Sequence, residues 1–272
     1  MIHVLANTLP MSANAEQNGA LEAIPDAAHF AAPQCHNCGA DLHTPFCPQC
    51  GQKRVERVGS WQLGQEVWNK FKWFDATVVV SARRLLRRPG MVAREYVFGA
   101  RKRHLNPIKL LLVGIGFLVL IVQRGNYLAS ANAPISSAMT IVQAWANLSF
   151  SLSVVAIVLA TWLFYRRYGG FNLYEHLMLA CTIQFVVVVV SVLTKLPTLV
   201  WTDAVFLSRH RFVSSWLLDA VGVLVFCIAC RQFFVIDPRR GWKRLLVASA
   251  FFIACKWILV RVYALVLIRI VL

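Results

Sequence analysis

Four cysteines near the N-terminus have the clearest chemistry in this chain. Cys35 and Cys38 form one CxxC pair, Cys47 and Cys50 form a second, and a glycine follows each pair. Four thiolates satisfy the tetrahedral coordination that Zn²⁺ prefers, and this spacing is typical of zinc-ribbon knuckles, whose turns favour glycine at positive φ. A closed Cys₄ site leaves no coordination position for a substrate. The sequence therefore predicts one structural Zn²⁺ rather than a catalytic metal.

Other uses of this cluster have less support. A thioredoxin-like redox pair opens a helix inside a βαβ unit, and the flanking residues offer no strand that would precede one. A disulfide framework requires export, whereas the topology deduced below keeps the cluster in the reducing cytoplasm. His36 and His43 could replace a cysteine as ligand, but we expect both to be solvated knuckle residues.

Charged side chains within apolar segments form a second group of interest. Asp219 and Arg261 lie at similar depths in two successive segments, and an unpaired charge there costs about 2.5–3.5 kcal/mol. We therefore predict that they form an intramembrane ion pair. Lys256 has no acidic partner that the sequence identifies, so it would line an aqueous cavity or belong to a tilted helix. Glu175 and His176 lie at the end of a segment, where we expect solvation.

Catalytic motifs are absent from the sequence. It contains no nucleophile elbow, phosphate-binding loop or HExxH motif, so we expect no enzymatic activity. A small-solute transporter or channel at the interface of the last two apolar segments is the alternative function. Against it, the sequence has no internal repeat, no acidic relay and no pair of broken helices.

The composition indicates a membrane protein. With 58% hydrophobic residues and a mean hydropathy of +0.59, the chain is too apolar for a soluble domain. Since a crossing needs about 20 apolar residues, the sequence predicts an all-α polytopic membrane protein with about five transmembrane helices. The predicted spans are residues 108–122, 148–165, 173–193, 212–236 and 245–268.

The basic residues predict the topology. Fourteen Lys and Arg residues lie between residues 53 and 109, against four acidic residues. Further basic clusters follow the second and fourth spans, whereas the first loop has only Arg124 and the third is modestly basic. Because basic loops stay in the cytoplasm, we predict a cytoplasmic N-terminus and an external C-terminus.

Composition also divides the chain into segments. We predict a disordered tail at 1–33, a zinc-ribbon-like domain at 34–53, a basic amphipathic helical linker at 60–104 and the transmembrane domain at 106–272. The linker suits a helix lying in the headgroup plane against anionic membrane lipids. The predicted lipid-contacting residues are Arg83, Arg84, Arg87, Arg88, Arg101, Lys102 and Arg103. No nucleic-acid partner is expected, because the sequence has no recognisable reading helix or stacking platform.

The order of several motifs resembles an uncharacterised bacterial family of membrane proteins that contains a domain of unknown function. The motifs are CHNCG, FCPQCGQ, Asp75-Ala76-Thr77, LLRRPG at 85–90, REYVFGAR at 94–101 and Pro107. The resemblance covers about residues 35–112. It implies a zinc-ribbon-like head, a short linker and a hydrophobic C-terminal region, but no activity.

Together these features predict a multi-pass protein of the bacterial inner membrane. We expect a membrane-anchored adapter or assembly factor whose cytoplasmic zinc ribbon binds a protein partner. The sequence does not identify that partner.

Overall fold

The computed structural model describes residues 25–59, 84–124 and 146–271. Within these ranges the chain is helical and no strand forms, which confirms the predicted all-α fold. In chain order the helices are α1 Ala27–Ala31, α2 Pro89–Val97, α3 Pro107–Arg124, α4 Ala146–Tyr165, α5 Leu173–Lys195, α6 Ala204–Phe233 and α7 Pro238–Val271. A 3₁₀ turn, Leu196–Leu199, extends α5.

The apolar helices identify a multi-pass membrane protein. In the part of the chain that the structure describes, four stretches are long and apolar enough to cross a bilayer: Pro107–Arg124, Leu173–Leu199, Ala204–Phe233 and Arg239–Val266. A fifth helix, α4, contributes the shorter apolar stretch Leu152–Tyr165. The prediction of an all-α protein with about five transmembrane helices thus corresponds, among the described residues, to four candidate spans and one shorter apolar helix.

Two span boundaries differ from the prediction. The fourth predicted span corresponds to α6, which begins at Ala204 rather than residue 212. The Asp203 carboxylate caps this helix by accepting the Val205 and Phe206 N–H groups at 3.1 Å each. The polar run at 208–211 thus belongs to the helix. The last helix, α7, begins at Pro238 rather than residue 245, and it continues without a break through Lys256 and Arg261.

Helix α5 is the centre of the bundle. It packs against α2, α3, α4 and α6. Of its most apolar stretch of 18 residues, 61% is buried, compared with 17% for the corresponding stretch of α7. Since protein surrounds it, α5 can carry the buried polar residues Thr182, Gln184 and Ser191 that would be costly against lipid. Helix α7 is peripheral and packs against α4 and α6.

The cysteine-containing segment, residues 33–54, packs with α2 at one end of the bundle; we call this segment the head. The start of α5 and the end of α6 lie at the same end, because residues next to the head and in α2 bond directly to them. The turn between α6 and α7 is also there. The C-terminal part of α7 therefore extends towards the opposite end.

Residues 27–31, which lie within the predicted tail at 1–33, form helix α1. Asp26 caps α1 by accepting the His29 N–H at 2.7 Å, and Phe30 on α1 is buried. Residues 1–24 lie outside the described residues. So do residues 60–83, which include Arg83 and most of the predicted amphipathic linker.

Candidate metal centre and its attachment to the bundle

The four predicted cysteine ligands come together. Their Sγ atoms all lie within 4.8 Å of one another, with Cys35–Cys50 at 3.6 Å and Cys38–Cys47 at 3.5 Å. These distances are too long for a disulfide, which needs about 2.05 Å. They are close to the separation of about 3.8 Å that four sulfurs at 2.3 Å from a tetrahedral metal would have. The donor set therefore fits a bound metal ion.

Two matching turns build this cluster. In the first, Gly39 N–H donates to the Cys35 carbonyl at 2.8 Å; in the second, Gly51 N–H donates to the Cys47 carbonyl at the same distance. Both glycines have positive φ, +78° and +66°, as the knuckle pattern requires. An isolated antiparallel bridge closes each turn. The CxxCG spacing thus folds locally into two equivalent knuckles.

The environment of the cluster also changes the pKa values of the cysteine thiols. The amide N–H groups of Cys50 and Gln49 donate hydrogen bonds towards Cys47 and help lower the pKa of its thiol to about 6. Burial raises the pKa of Cys35. Amides pointing at a buried sulfur stabilise the thiolate, which is the form that binds metal.

Of the two histidines that we expected to be solvated in the head, only one is. His43 is exposed, but His36 is half-buried and stacks on His29 with ring centroids 4.3 Å apart. Burial, together with the charges of His29 and Arg101, lowers the pKa of His36 to about 4. His36 therefore packs α1 against the head, and the described metal cluster contains cysteines alone.

A short segment between α2 and α3, residues 98–104, holds the second knuckle; we call it the docking segment. The buried side-chain amide of Gln52 donates to the Gly99 carbonyl at 2.9 Å and accepts the Lys102 N–H at 3.0 Å. The Lys102 ammonium also donates to the Cys50 carbonyl. The second knuckle is therefore fixed through both backbone and side-chain contacts.

The docking segment also holds the first knuckle. The Arg103 N–H donates to Asn37 Oδ1 at 3.0 Å. Gly99 has φ +105°, and a Cβ there would lie 2.7 Å from Val55 Cγ2 and 3.1 Å from His36 Cβ. The close approach between the head and this segment therefore depends on glycine.

Two of the predicted lipid-contacting cations bond to the head or to the residues just after it. Lys102 contacts the head, as described above, and Arg101 donates to the Glu56 carbonyl at 2.6 Å and lies over the Tyr96 ring. Arg84 pairs with Glu95 at 3.1 Å. The exposed members of the predicted set are Arg84, Arg87, Arg88, Lys102 and Arg103. Lipid contact stays a prediction for them.

Helix α2 attaches the docking segment to the bundle. Arg94 is 3% exposed and donates to the Phe233 carbonyl at the end of α6, while its guanidinium lies over the rings of Phe98 and Phe171 at 4.7 and 5.8 Å. The first amides of α2 donate to Gln232 Oε1 at 3.0 and 3.4 Å. Sequence analysis missed this role, although an arginine among apolar positions of a short helix was an available signal.

A second attachment corrects the expectation that Glu175 is solvated. Its carboxylate is fully buried and accepts two hydrogen bonds from Arg57, at 2.8 and 3.0 Å. Arg57 also donates to the Gly170 carbonyl at 2.6 Å, and the Asn172 side chain donates to the Val58 carbonyl at 2.9 Å. The carboxylate and the Asn172 side chain form a capping box at the start of α5. Glu175 is buried because the residues following the head cover this helix end.

His176 is also buried rather than solvated. It is 0% exposed, its ring packs against Phe234 at 5.6 Å, and neither ring nitrogen has a hydrogen-bond partner among the described residues. The same covering of the start of α5 explains this burial.

The predicted Asp219–Arg261 ion pair is wrong. Asp219 Oδ1 pairs with Lys256 Nζ at 2.5 Å, and the Arg261 guanidinium lies over the Trp257 ring at 5.4 Å. The turn at 234–237 sets the register. Counted from it at 1.5 Å per residue, Lys256 lies about 6 Å from the level of Asp219 and Arg261 about 14 Å. The sequence prediction counted the depth of Asp219 from residue 212, whereas α6 begins at Ala204.

The fold and the site together define an integral membrane protein with a metal-binding cysteine cluster at one end of its helical bundle. A family described as "Protein of unknown function (DUF3667)" matches residues 75–119. The described part of this match, residues 84–119, includes α2, the docking segment and most of α3, which join the head to the bundle. No curated protein and no solved structure matches the chain. The similarity thus supports the predicted resemblance to an uncharacterised domain and carries no activity.

Proposed function

We propose that this chain is a non-enzymatic, membrane-anchored adapter or assembly factor whose head holds one Zn²⁺ and binds a protein partner. One observation carries the proposal: the head is fixed on one side and open on the other. Its docked side bonds to the docking segment, whereas Phe46, in the bridge that closes the second knuckle, is 57% exposed.

Zinc is the metal that this donor set favours. Four thiolates at tetrahedral spacing suit Zn²⁺, and a closed set of four supports a structural rather than a catalytic ion. The head has a small apolar cluster of its own, centred on Cys35, Leu42 and Cys47. Such a small core needs the metal for stability. The four ligands would be the cysteines of the cluster.

The charge distribution supports a cytoplasmic head, and we propose that the membrane is the inner membrane of a bacterium. Basic residues gather at the head end of the bundle: Arg166, Arg167, Arg231, Arg239, Arg240, Lys243 and Arg244. The opposite end carries fewer cations and includes Asp203. Basic loops are retained in the cytoplasm, so this asymmetry favours the predicted orientation.

The open side of the head indicates what kind of partner it suits. A groove of about 750 Å³ lies between α1 and the head, with the apolar side chains of Phe30, Leu42 and Val55 in its lining. Three cations and one acidic residue line the same groove, so its charge is positive on balance: Lys53, Arg54, Arg57 and Glu56. Apolar anchors beside positive charge complement a short acidic segment of a partner protein that carries an apolar side chain.

The proposal is tested by quantitative crosslinking and co-purification from native membranes. Wild type is compared at equal abundance with Cys35→Ser/Cys38→Ser, which removes the metal site, and with Phe46→Ser, which leaves it intact. Cys227→Ser, in α6, is the matched control. A partner retained by the control and lost from both head variants supports an adapter. Identical partner lists for all four proteins would contradict it.

A second candidate function rests on a cavity inside the bundle. A space of about 190 Å³ is lined by Ser153, Gln184, Ser191 and Lys256 among apolar side chains. This cavity is mostly apolar, but its few polar side chains and the neighbouring Asp219–Lys256 pair suit a small solute that carries a polar group. A transporter would be more sensitive to Lys256→Met than to Cys35→Ser, and the adapter would show the reverse order.

A further inference from the structure

A separate cavity lies at the head end of the bundle, between the end of α4 and the start of α7. Its volume is about 470 Å³, and its lining includes Tyr165, Tyr168, Arg240, Lys243 and Arg244. None of these residues belongs to the metal site or to its attachments. The cavity is therefore independent of the proposed adapter function.

The charge of this cavity is unbalanced. Three of its lining residues are cations, whereas the only acidic residue in the lining is Asp237. The Asp237 carboxylate already accepts the Arg239 N–H at 2.9 Å. Among the described residues, no carboxylate pairs with the three cations. Closely spaced like charges repel one another, so the arrangement favours a bound anion.

A buried hydroxyl adds a second, independent observation. Tyr165 lines the cavity and is 1% exposed, and its hydroxyl has no hydrogen-bond partner among the described residues. Its ring is held in place by stacking on Phe234 at 4.5 Å. Buried hydroxyls are normally paired, so this unpaired donor points to a partner that the structure does not contain.

The position of the cavity identifies the source of the anion. Trp162 on α4 and Trp242 on α7 flank it in sequence and are 39% and 50% exposed. Arg166 lies over the Trp162 ring at 5.0 Å and Lys243 near the Trp242 ring at 5.8 Å. Exposed tryptophans beside cations mark the headgroup level of a bilayer. Phosphate is the anion that lipids present at this level.

We propose that this cavity binds the phosphate of an anionic phospholipid headgroup. Arg240, Lys243 and Arg244 supply the positive charge, and the Tyr165 hydroxyl donates a hydrogen bond to a phosphate oxygen. A guanidinium offers paired donors to phosphate and an ammonium acts as a point charge. With three cations and one acid, the cavity favours anionic over zwitterionic headgroups.

The test is native mass spectrometry of the full chain in detergent, titrated with phosphatidylglycerol or with phosphatidylcholine of the same acyl chains. The cavity variant is Arg240→Gln/Lys243→Gln/Arg244→Gln. Its matched control, Arg166→Gln/Arg167→Gln/Arg239→Gln, removes the same charge from exposed positions at the same end. Tyr165→Phe removes the hydroxyl alone and preserves the ring stacking.

We expect wild type to bind phosphatidylglycerol at least tenfold more tightly than phosphatidylcholine. The cavity variant should lose at least tenfold in affinity for phosphatidylglycerol, Tyr165→Phe about threefold, and the control less than twofold. Equal losses in the cavity and control variants, or no preference between the two lipids, would overturn the proposal. An unchanged affinity in Tyr165→Phe would overturn the role of the hydroxyl.

A parallel titration with glycerol 3-phosphate separates the two sources of phosphate. Failure of this soluble compound to displace phosphatidylglycerol supports a lipid ligand. Its binding to wild type but not to the cavity variant, without lipid binding, would overturn the lipid assignment in favour of a soluble phosphate.

Discussion

The Arg57 guanidinium binds the Glu175 carboxylate through two hydrogen bonds of 2.8 and 3.0 Å. The two residues are 118 positions apart, one just after the head and the other in the first turn of α5. Arg57 is 35% exposed at its side chain, whereas Glu175 is fully buried. The contact therefore joins the head to the central helix of the bundle.

Removing the arginine should destabilise the protein more than neutralising the acid. Arg57→Gln leaves a buried carboxylate without its cation, which we expect to cost about 3 kcal/mol. Glu175→Gln leaves a partly exposed arginine that water can solvate, at a cost of about 1 kcal/mol. Thermal unfolding in detergent measures both, with Arg84→Gln in the exposed Arg84–Glu95 pair as control. Equal effects of all three would contradict the structural role of the pair.

Gly99 should be sensitive to the smallest substitution. Gly99→Ala places a methyl group 2.7 Å from Val55 Cγ2 at a φ of +105°, so we expect a loss of about 1–3 kcal/mol and weaker attachment of the head. Gly116→Ala, in α3, is the matched control because an added Cβ there meets nothing within 4 Å. Hydrogen exchange at the knuckle amides reports the result. Equal exchange in the two variants would show that the close approach is unimportant.

Metal removal should unfold the head and leave the bundle folded. A strong chelator or Cys47→Ser should release one Zn²⁺ per chain and expose the Gly39 and Gly51 amides to exchange. Acidification should have the same effect, because protonation of the thiolates weakens metal binding. Elemental analysis gives the stoichiometry, and Cys227→Ser should retain the metal. A chain without metal whose knuckle amides are protected would contradict this prediction.

The stability of variants in the bundle should reflect the observed pairing of Asp219 with Lys256. Lys256→Met leaves Asp219 unpaired, and we expect a loss of about 1–3 kcal/mol, whereas Arg261→Met should have little effect. Asp219→Asn/Lys256→Met should recover much of the loss. Thermal stability and membrane expression measure the series. A larger effect at Arg261 would restore the pairing with Asp219 that the sequence predicted.

Local patterns proved easier to predict than contacts between distant segments. The CxxCG repeats specify both knuckles, and long apolar runs specify the helices, because each depends on neighbouring residues alone. Glu175 and Arg94 are different: their burial depends on the head covering one helix end and on α2 packing against α6. A short-range pattern can mark Arg94 as unusual, but it does not encode which distant segments cover either residue.

The Asp219 prediction failed for a related physical reason. The polarity of residues 208–211 suggested a loop, but the Asp203 cap starts the helix before them. An error in one helix boundary shifted the depth of every residue counted from it. The α6–α7 turn is the safer reference point, because it fixes the register of both helices.

The head, folded around its metal, should present Phe46 to a protein partner. Site-specific photocrosslinking in native membranes tests this presentation, with the photoreactive amino acid at position 46 or, as control, at Leu120, which is exposed on α3. We expect a protein to be captured from position 46, absent from position 120 and lost when Cys47→Ser is added. Capture that persists with Cys47→Ser, or the same set of proteins from both positions, would contradict it.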